Sequence, residues 1–400
     1  MRRLPSLDDL DIAGRRVLVR ADLNVPLNPD GQVADDTRLK SLAPTIDEIV
    51  KRGGRPIVLS HFGRPKGRPD PAFSLRAVVP ALEKVLGRPV VFAEDCIGPP
   101  AHRVIEALGE GEVAVLENTR FHAGEQANDI DFAACLADLG DVYVMDAFSV
   151  AHRANASTDA LARLLPSAAG PALIREVDAL ERALATPAHP VAAIVGGAKI
   201  STKLGVLGHL TGKVDQLVIG GGMANTFLNA LGKPVGKSLC EHELADTART
   251  ILAQAETAGC EIALPIDVTV APELAANVPV RRIAIDDVAA DDMILDIGPQ
   301  TVTDLIQRLE SCRTLVWNGP LGTFETPPFD GGTTAVAQAA ARLTDAGSLL
   351  SVAGGGDTVA ALNRAGVADR FSHVSTAGGA FLEWLEGKDL PGIKALTREK

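Results

Sequence analysis

No stretch of this chain is long and apolar enough to span a bilayer. The longest uncharged run, Gln216–Gly232, covers 17 residues and carries four glycines and two asparagines, whereas a spanning helix needs about 20 mostly apolar residues. The start, Met1-Arg-Arg-Leu-Pro-Ser-Leu-Asp-Asp-Leu-Asp11, has a basic pair but meets three acids before any apolar core, unlike a secretory leader. Cysteine is sparse. The five (Cys96, Cys135, Cys240, Cys260, Cys312) are odd in number and at least 20 residues apart, so no pair has metal-ligand spacing, and free buried thiols in a reducing compartment are expected. Positive charge is in deficit, with 39 Lys plus Arg against 51 Asp plus Glu and a net charge of −12. That balance argues against a non-specific nucleic-acid or anionic-membrane binder. A cytoplasmic protein with neither nucleic acid nor membrane as partner is expected.

Familiar fingerprints are missing as well. There is no G-x-G-x-x-G, and Gly232-Lys-Pro-Val-Gly236-Lys237-Ser238 falls one residue short of a Walker loop, which leaves Lys237 a surface lysine. No G-x-S-x-G elbow occurs and no cysteine has a nucleophile's surroundings, so covalent hydrolase chemistry gains no support.

What is present is an ordinary globular composition, 46% hydrophobic and 22% charged over 400 residues. That length is enough for about two to four domains and a sizeable core. The charge is unevenly spread. Residues 1–88 hold 16 basic and 11 acidic side chains, and twelve of the basic ones are arginine, the side chain best shaped to grip phosphate or carboxylate bidentately.

Short, continuously apolar runs alternate with helical patterns throughout, as expected for parallel strands covered on both faces. Strands are predicted at Val17–Arg20, Pro56–Ser60, Val90–Phe92, Val113–Leu116 and Val142–Met145. They continue at Val191–Val195, Gln216–Ile219, Ile262–Pro265, Met293–Asp296, Thr314–Trp317, Leu349–Val352 and His373–Ser375. Leu39–Arg52, Leu75–Leu86 and Thr333–Leu343 read as helices. Twelve strands suit two doubly wound, Rossmann-like α/β domains better than one open sheet. The join is predicted after Pro166–Pro171, through a helix over Ala172–Leu184. The expected division is 1–171, a helical hinge at 172–188, then 189–388, with a tail at 389–400.

Doubly wound sheets bind ligands outside the carboxyl ends of their strands. In the first half those ends carry Arg20-Ala-Asp22-Leu-Asn24, His61-Phe62-Gly63-Arg64, Glu117-Asn118-Thr-Arg120 and Asp146 through His152-Arg153. A lone arginine is ordinarily a solvated surface charge. Several at successive strand ends imply an anion that offsets their repulsion. Arg38, close behind Asp35-Asp36, fits a surface ion pair equally well. In the second half the ends are glycine-rich: Gly196-Gly197-Ala-Lys199-Ile-Ser-Thr-Lys203, Gly220-Gly221-Gly222, Asn318-Gly319-Pro320, Gly354-Gly355-Gly356-Asp357-Thr358 and Ser375-Thr-Ala-Gly378-Gly379. Glycine lets backbone N–H groups close on phosphate oxygens, and a following helix adds its positive end. Asp357 suits Mg²⁺, which takes one or two carboxylates plus phosphates, or a helix N-cap. Lys199 and Lys203 share a face if a helix has begun. An arginine basket and a glycine-lined phosphate site point to phosphoryl transfer, which is mostly positioning and charge neutralisation. Domains that each hold half the reaction must close to exclude water.

In family order, Arg20-Ala-Asp-Leu-Asn-Val-Pro26, Ser60-His-Phe-Gly-Arg-Pro65, Leu116-Glu-Asn-Thr-Arg-Phe-His-Ala-Gly-Glu125, Ala151-His-Arg153, Gly196-Gly-Ala-Lys199, Trp317-Asn-Gly-Pro320, Gly354-Gly-Gly-Asp357 and Ser375-Thr-Ala-Gly-Gly379 resemble phosphoglycerate kinase over the whole chain. The resemblance implies a monomeric, two-domain enzyme of glycolysis. It would move phosphate in line between Mg·ATP and the carboxylate of 3-phosphoglycerate, giving 1,3-bisphosphoglycerate and Mg·ADP. By the same resemblance Asp22 and Asn24 hold the glycerate end, with Phe62 and Gly63 lining the substrate site. His61, Arg64, Arg120 and Arg153 form the phosphate basket. Arg38, Lys199 and the Gly378-Gly379 helix start attend the migrating phosphoryl group. Lys203, Glu325 (ribose), Asn318, Gly355, Gly356 and Thr358 serve the nucleotide, and Asp357 the Mg²⁺. The acceptor carboxylate is already ionised at neutral pH, so no general base is required. The tail Leu390–Leu396 resembles one that packs back on the first domain.

The chain departs from the family's usual residues at Asn155, in place of a histidine, at Ser149-Val150, at Thr323, and at Ala377, in place of a glycine. A modest change in substrate grip is expected from Asn155. Another acyl-phosphate-forming kinase, a nicotinamide dehydrogenase and a non-catalytic anion-binding protein are the alternatives.

Overall fold

The structure, a computed structural model, describes residues 3–397, so the last three residues of the expected tail lie outside it. The chain divides into two compact units, one running to Val177 and taking in the chain from Asp389, the other Asp178–Lys388.

In the first unit six strands form one all-parallel sheet: β1 (Arg16–Arg20), β2 (Arg55–Leu59), β3 (Val90–Ala93), β4 (Val113–Leu116), β5 (Val142–Met145) and β6 (Ser167–Ala169). Their order is β3-β4-β2-β1-β5-β6. The central strands are buried on both faces, which is why their runs read as continuously apolar. Helix Thr37–Lys51 lays Leu39, Leu42, Ile46 and Ile49 along one stripe against Val17, Val19, Val58 and Val144. The edge strand β6 escaped the sequence reading because Ser-Ala-Ala carries no β-branched side chain. The predicted helix Leu75–Leu86 is a 3₁₀ turn, Leu75–Val78, followed by an α-helix, Val79–Leu86. Pro80, without an N–H, sits where the α-helix starts.

β5 delivers Asp146 to the start of the helix Pro171–Leu180, where its carboxylate accepts from the N–H groups of Ala172 (2.8 Å) and Leu173 (3.1 Å) and from the Thr45 hydroxyl. A Cβ at Gly170 would lie 2.3 Å from Asp146 Oδ1, so that position has no room for a side chain. Beyond Leu180 the expected single helix changes to a π-turn, Glu181–Ala185. The tail's short helix Pro391–Lys394 is tied to the first unit by Gly392 N–H donating to Ala151 O at 2.9 Å.

The second unit has strands β7 (Val191–Val195), β8 (Gln216–Ile219), β9 (Glu261–Ala263), β10 (Asp267–Ala271), β11 (Arg281–Ala284), β12 (Met293–Ile297), β13 (Thr314–Asn318), β14 (Leu350–Gly354) and β15 (His373–Ser375). Six make a parallel sheet ordered β15-β14-β13-β7-β8-β9. The other three form a separate antiparallel sheet, β11-β10-β12. This corrects the expectation of an unbroken parallel series, in which Met293–Asp296 was one more parallel strand. β10 alternates Asp267 and Thr269 with Val268 and Val270, and β11 opens on two exposed arginines. Neither resembles the apolar runs that mark the parallel strands. Cys135 is exposed, which corrects the expectation of uniformly buried thiols; Cys96, Cys260 and Cys312 are buried.

Burial pushes the Asp146 carboxyl up to about 7, against the three donors that pull it down. A carboxyl whose folded value lies above its unfolded one stabilises the fold at low pH and loses that contribution as pH rises through the folded value. The stability of the protein relative to its Asp146→Asn variant is therefore expected to decline between pH of about 4 and about 7, each unit of difference being worth about 1.4 kcal/mol. Urea unfolding across that range measures it; a difference flat with pH contradicts the reading.

Candidate functional site

In the first unit the carboxyl ends of β1, β2, β4 and β5 bring the arginines onto one edge. Arg20, not singled out among the candidates, proves central. It is fully buried. Its Nε donates to Ser157 Oγ (2.9 Å), Nη1 to Ala21 O, and Nη2 approaches His61 Nδ1 at 3.1 Å. A guanidinium only donates, so His61 Nδ1 accepts and the ring's single proton sits on Nε2. Burial, then Arg20, Arg120, Arg153 and Arg38, hold His61 well below the ordinary imidazole range, so it is neutral. Ser157 passes the charge on: its Oγ and N–H donate to Glu125 Oε1 and Oε2 at 2.6 and 2.9 Å. Glu125, also fully buried, is the internal countercharge of the cluster. The sequence signal that could have found Arg20 was a charged side chain ending an apolar strand run; Glu125, in a short helix well beyond β4, carried none.

Arg120 is 3% exposed. Nη1 donates to Gly63 O at 2.8 Å, while Nε and Nη2 are buried with no hydrogen-bond partner. Burial, then Arg153 and Arg20, lower it to about 10. Two unfilled, charged donors inside a protein are costly, and an oxyanion with paired oxygens matches them. Asn155 Nδ2 is likewise buried without a partner. Arg153 is half-buried with Nε donating to His152 Nε2 (3.2 Å), and Arg64 is exposed.

Gly63 turns at φ 57°, and a Cβ there would lie 2.2 Å from the Phe73 ring. Its N–H donates to Asn24 Oδ1 (2.9 Å), and Phe62 is pinned at both N–H and C=O by the Asn118 amide. Asp22 accepts from Ser149 Oγ (2.5 Å) and pairs with Arg38 at 2.8 Å, and Arg38 also donates to Asn24 O (2.8 Å). Arg38 thus belongs to the β1 edge and not to a surface pair with Asp35 or Asp36. Ser149, one of the departures, carries the hydroxyl that steadies Asp22.

In the second unit the sheet's order reverses between β7 and β13, the place where doubly wound sheets open a crevice. Lys203 fills it. Its ammonium donates to Gly196 O (2.6 Å), Asn318 O (2.9 Å) and Asn318 Oδ1 (2.6 Å). Burial lowers it to about 8, against the attraction of Asp357. Asn318 Nδ2 donates to Gly354 O, and Gly319 N–H to Thr358 Oγ1, tying β13 to β14. Lys199 is exposed and precedes a 3₁₀ turn, Ile200–Thr202. The helix begins only at Leu204, so the two lysines do not share a helical face.

Gly355, at φ 99°, is the N-cap of the helix Gly356–Arg364, and Asp357 is its second residue, exposed and making no capping bond. Gly378-Gly379 opens the helix Gly378–Leu385. Ala377 caps it at φ −98°, a conformation open to any residue, so the lost glycine costs nothing there. Asp357 and Glu325 border a cavity of about 290 Å³ whose walls include Leu239, Leu274, Met293 and Leu321. These wall residues lay outside the sequence reading because scattered apolar side chains carry no motif.

Fold and site together describe a two-unit, doubly wound α/β protein that gathers anion-binding groups at its strand ends. The phosphoglycerate kinase family model matches residues 7–388. The chain is 61% identical to the phosphoglycerate kinase of Zymomonas mobilis subsp. mobilis over 98% of both chains, and 61% identical to that of Xanthobacter autotrophicus over the full length of both. Among solved structures, phosphoglycerate kinase from Coxiella burnetii superposes with a TM-score of 0.91 at 43% identity, covering 99% of each chain. That from Pyrococcus horikoshii gives 0.82 at 30% identity, covering 98% of each. The chain belongs to the phosphoglycerate kinase family.

Because Arg120 buries unfilled donors among like charges, Arg120→Met is expected to hold or raise the free energy of unfolding, by up to about 3 kcal/mol. Urea denaturation without anions tests this. A loss of stability would mean that the guanidinium is satisfied in the resting protein.

Proposed function

We propose that this chain catalyses reversible phosphoryl transfer between Mg·ATP and the carboxylate of 3-phosphoglycerate, forming 1,3-bisphosphoglycerate and Mg·ADP in glycolysis. The observation that carries the reading is the buried Arg120 guanidinium with Nε and Nη2 unfilled, set among arginines with one internal carboxylate. With His61 Nε2–H, Arg64 and Arg153 it grips the substrate's phosphate. Asp22 and Asn24 orient the hydroxyl and carboxylate end, with Phe62 and Gly63 lining that site.

A carboxylate oxygen attacks the γ-phosphorus as its bond to the ADP oxygen breaks. The acceptor carries no proton at neutral pH, so none needs removing. Arg38, Lys199 and the N–H groups of Gly378 and Gly379 neutralise the charge on the transferring group, the main form of help such a reaction takes.

Lys203 exchanges carbonyl partners for nucleotide phosphates, held in place by Asn318, while Gly355, Gly356 and Thr358 shape the turn beneath them. Glu325 takes the ribose, and the apolar walls of the cavity take the base. Asp357 offers a single exposed hard-oxygen donor beside the phosphate turn, which suits the Mg²⁺ of the nucleotide substrate; the ion supplies charge neutralisation between phosphates. No described helix is long and apolar enough to cross a membrane. Action as a monomer in the cytoplasm, on small molecules alone, completes the reading.

Acyl phosphate trapped with hydroxylamine from Mg·ATP and 3-phosphoglycerate should require both substrates. Lys199→Ala and Arg38→Ala should each lower kcat by about 10²–10³ with modest change in KM, as for loss of one charge-stabilising group. Product formed without 3-phosphoglycerate, or unimpaired variants, would overturn the assignment. Nucleotide affinity should weaken as pH rises through about 8, where free Lys203 loses its proton. Lys203→Arg, which keeps its charge, should remove that trend in calorimetric titration.

A further inference from the structure

A second cluster of chemistry-bearing side chains lies beside the arginine edge and takes no part in the reading above. Asp95 and Cys96 follow β3, and His122 follows the 3₁₀ turn Thr119–Phe121 after β4. The two strands are parallel neighbours in register, Ala93 against Leu116, so the sheet brings their ends together. A carboxylate oxygen of Asp95, the Cys96 sulfur and a ring nitrogen of His122 all lie within 4.8 Å of one another. Cys96 is fully buried, while Asp95 and His122 are half-buried. The His122 ring stacks on Phe132, centroids 5.1 Å apart, which fixes its plane. His122 Nε2 meets Asp95 Oδ1 at 2.7 Å, and Oδ1 also accepts from Cys96 N–H at 2.7 Å.

A carboxylate–imidazole pair alone needs no explanation beyond closing a turn. The third donor, a thiol brought to the same point, is what such a pair does not require. The surroundings add an independent observation. Asp95 and His122 line a cavity of about 790 Å³ that also carries Asp70, Glu94 and Glu117 against a single arginine, Arg76, a field that favours a cation.

We propose that Asp95, Cys96 and His122 bind a divalent transition-metal ion of the Zn²⁺ type, with a fourth position open to water from the cavity. One nitrogen, one sulfur and one oxygen form a borderline-soft set that suits Zn²⁺ and disfavours Mg²⁺ or Ca²⁺, which prefer all-oxygen shells. The change in geometry is small. A metal set between Oδ1 and Nε2 with bonds of about 2.0 Å widens their separation to roughly 3.3 Å, a tetrahedral edge, and side-chain rotation draws the sulfur in. Protons balance simply. The Cys96 thiol, kept protonated by burial and then by Asp95, Glu125 and Glu117, releases one proton to the buffer. His122 Nε2 coordinates through its lone pair, so a proton it shares with Asp95 leaves that nitrogen for Nδ1 or the buffer. The bound ion clamps the segment that runs back through Arg120.

Untagged full-length protein, stripped with EDTA, is titrated with zinc chloride by calorimetry and with cobalt chloride by absorption. One zinc per chain is expected, with at least tenfold weaker binding in Cys96→Ser and in His122→Ala. Binding should persist in Cys240→Ser, which removes the other thiol near an imidazole, Cys240 Sγ to His242 Nδ1 at 3.6 Å. Circular dichroism in EDTA checks that the variants fold. The wild type needs no such check: cobalt at this site must give a thiolate-to-metal charge-transfer band. Absence of that band, absence of zinc binding, or equal affinity in the Cys96 and His122 variants would overturn the proposal.

Discussion

The repulsion among buried arginines is the constraint from which much of the first unit follows. Arg20 and Arg120 are almost wholly enclosed, and Arg38 and Arg153 are half-buried beside them. Such a group survives folding only if its field is partly neutralised from within. Glu125 does this from beneath, through Ser157, at a distance that leaves the guanidinium edges of Arg120 uncommitted. Complete neutralisation would produce a more stable and less useful protein. A phosphate or carboxylate docked there would remove the residual imbalance, and affinity for it would be stability withheld from the resting fold.

The second unit solves a similar problem with the opposite economy of side chains. One ammonium, that of Lys203, sits in the crevice where the strand order reverses, and its three partners are oxygens of the β7 and β13 ends. Glycine turns make up the other strand ends, where N–H groups aimed from a helix start cost no side-chain ordering. The extra antiparallel sheet, β11-β10-β12, supplies part of the apolar wall of the adjoining cavity, through Met293 and Leu295. The Lys203 crevice therefore rests on the parallel sheet, and part of the wall beside it on the added one.

Much of this was legible in the sequence, for identifiable reasons. Strands buried on both faces announce themselves as apolar runs, and β4, β5, β7, β8 and β15 have the bounds the sequence predicts. Strands that break that rule were lost: β6 for its small residues, β10 for its polar alternation, β11 for its exposed arginines. At the site, charged and glycine-rich strand ends stood out because they interrupt apolar stretches. Arg20, Glu125 and Ser149 did not, since their importance lies in whom they touch across 32 to 137 residues of chain. Spacing alone could not place Arg38, and a single ion pair with Asp22 does.

The hydrogen-bond directions at the arginine edge have a bearing on life inside a cell. His61 and His152 each present a ring nitrogen to a guanidinium that can only donate, and Asn155 carries an amide that does not titrate. The His61 ring, buried among arginines, is thereby held neutral. A change of pH across the range where histidines ordinarily switch leaves the charge of His61 untouched. An anion that docked there would meet the same neutral ring, donating from the same nitrogen, in mild acid as at neutral pH.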